Sequence, residues 1–224
     1  MDPDEGVADR LAAAGIARGD ATGWFDEIYK AAGGDPSVIP WADQHPNPWM
    51  IEWLDRERPV ARGSTAVVVG CGLGDDAEEL SRRGFEVTGF DISETAIEWA
   101  RRRFPDSAVE FRTADLFDLP GPMEGAFDFV FEAYTLQPLP IGVRDAAIAA
   151  VASLVAPGGS LLVVTRGREN DEEPGGPPPW ALSHAELEQL EHAGLMRSTF
   201  EDFLDPTRDP PIRRFRAHYM RPSA

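Results

Sequence analysis

The stretch Thr65–Asp91, TAVVVGCGLGDDAEELSRRGFEVTGFD, constrains this chain more than any other. A β-branched apolar run enters a glycine-rich turn, a helix-forming segment follows, and a second apolar run ends on an acidic residue. That order predicts a βαβ unit whose carboxyl edge takes a nucleotide-sized ligand. Glycine lets backbone come close to a ligand, and a strand-end carboxylate can grip a ribose.

The rest of the chain extends the unit. Ala66–Val69 reads as a buried strand, Asp75–Arg83 as a helix closed by Gly84, Phe85–Phe90 as a second strand, and Glu94–Phe104 as a helix capped by Ser93. Val109–Thr113, Phe127–Phe131 and Ser160–Thr165 are three further strands, with a helix Val143–Val155 stopped by Pro157-Gly158-Gly159. Strands alternating with helices predict a mostly parallel sheet covered on both faces. The run RGRENDEEPGGPPPW after the fifth strand is too polar and proline-rich for a sheet and is expected as a lid-like loop. Ser183 then caps a helix Ala185–Ala193, and Met196–Phe203 with Ile212–Met220 form an antiparallel pair at the sheet edge.

Ahead of the unit, a short helix is expected around Val7–Ala14, then one from Thr22 as N-cap with Trp24, Ile28 and Ala31 on its buried face. Pro36–Asn47 holds too much proline for a helix and too much apolar surface for a disordered linker, so it is expected to lie ordered over something. A further helix runs from Pro48-Trp49 to Pro59. Residues 1–60 are accordingly read as an N-terminal helical cap and lid, and 61–224 as the core, in one compact domain.

Charge narrows the partners. Thirty-nine Asp and Glu against 21 Lys and Arg leave a net charge of −18, which opposes a phosphate backbone or an anionic lipid surface. No nucleic acid and no membrane are expected. The lone Cys71 forms no internal disulfide, and no leader or roughly 20-residue apolar span is present, which suits the cytoplasm. His45, His184, His192 and His218 stand singly, so no metal site is expected.

The glycines decide which ligand is tested first. Gly70, Gly72 and Gly74 fit G-x-G-x-G, whereas a pyrophosphate turn would need a glycine where Asp75 stands. Asp75 and Asp76 then place negative charge at the helix start, which penalises a dinucleotide and favours a cation. S-adenosylmethionine fits: it carries a sulfonium and a ribose but no phosphate. Asp91 is the candidate for its ribose hydroxyls, and Asp115 with Leu116 and Phe117 for its adenine, core packing being the alternative for Phe117. Trp41 is the candidate to lie against the sulfonium, and core packing is the reading preferred for Trp49 and Trp53.

With VVVGCGLG, GFDIS, ADLF, FDFVFEAYTL and LVAPGGSLLVV in view, the chain from Trp41 onward resembles the class I S-adenosylmethionine-dependent methyltransferases. The resemblance implies a doubly wound, Rossmann-like α/β fold, with a seven-stranded, mostly parallel sheet and an antiparallel last strand. It implies cofactor contacts at Gly70, Cys71, Gly72, Asp91, Ile92, Asp115, Leu116, Phe117 and Glu132. IPWADQHPNP, FEAYTLQPLP and GGPPPWALS further resemble the thiol, halide and thiopurine methyltransferase group, which implies Trp41 over the cofactor with Gln44 nearby; the chain departs from that group at Ala42, at Glu132-Ala133 and at Gln137. The expected reaction is an in-line methyl displacement onto a small-molecule acceptor, a thiol or halide or else a phenol, carboxylic acid or amine. Glu132 and Tyr134 are the candidate catalytic, positioning residues, and a monomer or homodimer is expected. A nicotinamide-dependent oxidoreductase and a non-catalytic cofactor-binding protein stay open as rivals.

Overall fold

A computed structural model describes residues 5–223 of the chain. Three α-helices lead. In α1 (Glu5–Ala17), Ala8 and Ala12 pack against Trp24 and Ile28 of α2 (Gly23–Ala31). Thr22 makes no side-chain cap; Asp20 takes that role, its Oδ1 accepting the N–H groups of Thr22 and Gly23 at 3.1 and 2.7 Å. Tyr29, not Ala31, completes the buried face of α2, because Ala31 turns to solvent. Helix α3 (Pro48–Glu57) starts at an Asn47 cap whose Oδ1 accepts from Trp49 and Met50 at 3.0 and 3.3 Å, with Pro48 in the first turn where its missing N–H costs nothing.

The body follows the expected alternation: β1 (Thr65–Val69), α4 (Asp75–Arg82), β2 (Glu86–Asp91), α5 (Glu94–Arg103), β3 (Glu110–Thr113), β4 (Phe127–Ala133), α6 (Ile141–Ser153) and β5 (Val155–Arg168). A two-residue β6 (Leu182–Ser183), α7 (His184–His192), β7 (Met196–Asp205) and β8 (Ile212–Met220) complete it. The strand order is β3-β2-β1-β4-β5-β8-β7; among the described strands β8 alone points opposite to the others, and β6 pairs with β5 beside that path. This is the Rossmann-like sheet with an antiparallel last strand that the sequence predicts.

The period-two alternation of β1 divides the core between the two faces. Val67 and Val69 pack with Val130, Ile148 and Leu187 on the α6 and α7 side, while Ala66 and Val68 pack with Phe129, Trp53 and Leu80 on the α3 and α4 side. Trp53 stacks on Phe129 at 5.6 Å, which agrees with its core reading. These side chains are shut away from solvent on both faces, so each such Val, Leu or Phe contributes roughly 1.5–3 kcal/mol.

The fifth strand is longer than expected at both ends: it starts at Val155, which the sequence gives to the preceding helix, and it runs on past Thr165. The sequence places RGR in a polar loop, but Arg166, Gly167 and Arg168 continue β5. Arg166 pairs with Arg214 of β8, and Gly167 and Arg168 pair with β6. Strand pairing on two sides satisfies the backbone whatever the side chains are, and polarity alone misreads such a strand end. Among the described residues no helix is long and apolar enough to cross a membrane.

Candidate active site

At the carboxyl edge of the sheet, the turn after β1 is held by backbone angles that favour glycine: φ is +60° at Gly70 and +51° at Gly72. A Cβ on Gly70 would lie 2.3 Å from the Thr135 Oγ1, and one on Gly72 would lie 3.1 Å from the Tyr29 hydroxyl. The turn therefore sits clamped between the β4 connection and the N-terminal segment. The Gly72 N–H donates to Asp91 Oδ2 at 2.9 Å, and the Ser93 N–H donates to Asp91 Oδ1 at 2.9 Å. A carboxylate offers about four acceptor positions, so Asp91 keeps acceptor capacity beyond the two that fix the turns. Burial raises its pKa, yet it is 7% exposed and borders a cleft of about 960 Å³.

That cleft also takes in Trp41, Gly70, Cys71, Gly72, Ile92, Asp115, Leu116 and Phe117. Asp115 Oδ1 accepts the Phe117 N–H at 2.8 Å, which shapes the turn after β3 and holds Phe117 partly in the open, at 39% exposure. Core packing does not describe Phe117. Trp41 donates its Nε1–H to the Tyr29 hydroxyl at 2.9 Å and meets Trp24, Phe25 and Tyr29 edge-on. The Pro36–Asn47 segment is thus ordered by covering the cleft, with Gln44 and His45 in the same wall. Trp49 stands between the two roles open to it: it packs edge-on to Phe203 at 4.7 Å and also borders the cleft.

Two electrostatic expectations are corrected. Asp75 is neutralised by Arg103, whose guanidinium donates to both carboxylate oxygens at 2.7 and 2.8 Å. Asp76 accepts the Asn47 N–H at 2.6 Å, and burial pushes its carboxyl up to about 7. The helix start is less negative than its sequence implies, and its charge depends on pH.

Glu132 is also displaced from the role expected of it. Its side chain is fully buried and does not border the cleft. Oε1 accepts the N–H groups of Thr135 and Leu136 at 2.8 and 3.0 Å, Oε2 is buried with no partner, and burial pushes the carboxyl up to about 7. It braces the turn that carries Thr135 against Gly70. Tyr134, by contrast, borders the cleft with φ +63°, its ring beneath the Arg214 guanidinium at 5.1 Å. Burial raises the phenol pKa, so it is protonated at neutral pH.

The far end of the cleft is invisible in the sequence. Arg166, Arg208 and Arg214 border it with Asp43, Asp205 and the tip Pro177–Pro179. Gln137, near them, is committed to structure: its Oε1 accepts from Thr165 Oγ1 at 3.1 Å and from the Arg166 N–H at 3.0 Å. The available signal is the alternation in IRRFRAHYM, which sets Arg214 on one face of a strand and Phe215 on the other.

Residues 66–159 match the family described as a methyltransferase domain. The ubiquinone biosynthesis O-methyltransferase of Chromobacterium violaceum is 33% identical over 124 residues, covering 54% of this chain and 52% of the relative. That of Xanthomonas euvesicatoria is 30% identical over 164 residues, covering 71% and 64%. The chain thus spans about half the length of most such curated relatives. Magnesium protoporphyrin IX methyltransferase from Synechocystis, solved with bound S-adenosylhomocysteine, superposes with a TM-score of 0.67 at 18% identity, covering 88% of this chain and 98% of the other. Residues 66–159 are thus similar in sequence to a methyltransferase domain, and the chain shares its fold with solved S-adenosylmethionine-dependent methyltransferases.

Proposed function

We propose that this chain is an S-adenosylmethionine-dependent methyltransferase acting on the oxygen of a small molecule. The observation that carries the reading is Asp91, a recessed carboxylate locked by the Gly72 and Ser93 N–H groups at the edge of a cleft lined by a glycine turn. The residues fit the cofactor. Asp91 would accept from the ribose hydroxyls, Asp115, Leu116 and Phe117 would take the adenine, and Gly70, Cys71, Gly72 and Ile92 would pack along it. Trp41 and its aromatic neighbours would face the sulfonium, where a ring face contributes roughly 0.5–2 kcal/mol. Asp91 and Asp115 border the cleft beside the glycine turn without an arginine partner among the described residues, a setting that suits a cation and opposes the pyrophosphate of a nicotinamide cofactor.

S-adenosylmethionine supplies an electrophilic methyl group on a positively charged sulfur. The chain aligns the acceptor, withholds water and orients the attacking atom. Tyr134 is the orienting group, because its protonated phenol both donates and accepts. Glu132 acts only through the turn it braces. Oxygen is preferred over thiol or halide on the names of the relatives.

The test is an S-adenosylhomocysteine-release screen over phenols, carboxylic acids, thiols and halides, alongside calorimetric titration with S-adenosylhomocysteine and NAD. Release with an oxygen acceptor is the expected result. Binding of NAD alone would overturn the reading, and release confined to thiols or halides would overturn its oxygen acceptor.

A further inference from the structure

In the register between β5 and β8, Arg166 lies directly opposite Arg214. Side chains at facing positions share one side of the sheet, about 4.5–5.5 Å apart at Cβ, and like charges there are destabilising. The single acid held by this pair is Asp205, and Arg214 takes it, its Nε and Nη2 donating to Oδ2 at 3.2 and 3.0 Å. Arg208, in the same cleft, has Asp43 at 3.7 Å. Arg166 has no carboxylate partner among the described residues, and its Nε is buried without an acceptor. In a chain of net charge −18, with 39 acidic residues available, an unpartnered guanidinium facing a second one is a costly arrangement.

Its place makes sense of the cost. Both side chains border the cleft, beside Tyr134 and away from the turn that carries Asp91. The cleft is therefore bipolar, with carboxylates around the glycine turn and guanidiniums at the far end. Of the three arginines there, Arg208 has Asp43 and Arg214 has Asp205, which leaves Arg166 as the guanidinium without a carboxylate of its own, the complement of a monoanion. A planar guanidinium fork matches the two oxygens of a carboxylate.

We propose that Arg166, with Arg214 beside it, is an anion-binding corner that selects acceptors carrying a carboxylate and holds them with their nucleophile near Tyr134. This names the acceptor class and rests on the methyltransferase reading above. The burial that lowers the Arg166 pKa, reinforced by Arg214, leaves the group charged at any physiological pH, so the corner is permanently cationic.

The experiment measures binding of paired probes to the full chain loaded with S-adenosylhomocysteine. The probes are hydroxybenzoates, hydroxycinnamates and short aliphatic carboxylates, each against its own amide. At least one carboxylate is expected to bind tenfold or more tighter than its amide, the order of one charged hydrogen bond. In Arg166→Gln that preference falls to about threefold or less, while Arg166→Lys retains an intermediate preference. S-adenosylhomocysteine affinity stays within about twofold of wild type in both variants.

No carboxylate preference anywhere in the panel overturns the proposal, and the wild type alone decides this if a variant does not fold. A preference that survives Arg166→Gln overturns it as well. A tenfold loss of S-adenosylhomocysteine affinity with the preference intact assigns Arg166 to the cofactor and also overturns it. The titration keeps the two readings apart: absence of S-adenosylhomocysteine binding sinks the methyltransferase reading, while the carboxylate preference is still read on the unloaded protein.

Discussion

Replacing Glu132 by Gln isolates a carboxyl that the fold keeps in an environment hostile to its charge. The folded pKa stands at about 7 against an ordinary value of 4.5, raised by burial. A carboxyl whose folded pKa is raised binds more protons folded than unfolded between those values, so stability falls as pH rises from about 4.5 to about 7 and then levels. Integrating the two titration curves between pH 5 and pH 8 gives a loss of about 2–3 kcal/mol from this one group. Gln is uncharged and of the same shape, and its Oε1 can keep the bonds from Thr135 and Leu136. The wild type should therefore lose about 2–3 kcal/mol relative to Glu132→Gln over that interval.

Urea denaturation followed by tryptophan fluorescence at pH 5 and pH 8 measures it. Taking the difference between two proteins cancels Asp76, Asp91 and every other shared titration. A wild-type-minus-variant difference that is the same at both pH values would refute the buried-charge reasoning. It would mean that Oε2 finds water or a cation where the structure shows no partner.

Asp91→Asn should weaken S-adenosylhomocysteine binding by roughly 10- to 150-fold in calorimetry, the range of one charged hydrogen bond; unchanged affinity removes Asp91 from the cofactor. Gly70→Ala places a Cβ 2.3 Å from Thr135 Oγ1 at φ +60° and should cost about 2–4 kcal/mol in urea titration, part of it recovered by adding Thr135→Ala. Arg144→Met removes a 1%-exposed guanidinium that bonds Glu186 and the carbonyls of Gln137, Leu139 and Trp180, and should cost about 3–5 kcal/mol by the same titration. Asp76, with its carboxyl near 7, gains charge as pH rises, so the affinity for cationic S-adenosylmethionine relative to neutral S-adenosylhomocysteine should increase several-fold from pH 6 to pH 8. The ratio should stay flat in Asp76→Asn.

The sheet is legible because its code is local. Strand β1 is apolar and β-branched over consecutive positions, as in AVVV of Ala66–Val69, and helices such as α5 and α7 are fenced by the caps Ser93 and Ser183. The cofactor half of the site is legible for the same reason, since Gly70, Gly72 and Asp91 lie within one supersecondary unit. The rest depends on contacts between distant segments. Nothing near Asp75 announces Arg103, and nothing near Asp76 announces that the Asn47 N–H will meet its carboxylate. Glu132 reads as a cleft residue because it stands near the end of an apolar strand beside Tyr134, but its carboxylate is drawn to the N–H groups of Thr135 and Leu136, beyond the positive-φ turn at Tyr134. The Asn47-Pro48 pair is a readable cap signal for α3, whereas Arg166 cannot be read at all without the β5 to β8 register.

The antiparallel last strand brings residues from outside the matched segment to the cleft. The matched domain, residues 66–159, supplies the glycine turn, Asp91, Asp115 and Tyr134. Trp41, Arg166, the Pro177–Pro179 tip, Asp205 and Arg214 all come from outside it, brought back over the cleft by the leading helices and by β8. The boundary of the matched segment therefore runs through the middle of one cavity, and neither part of the chain holds the whole site.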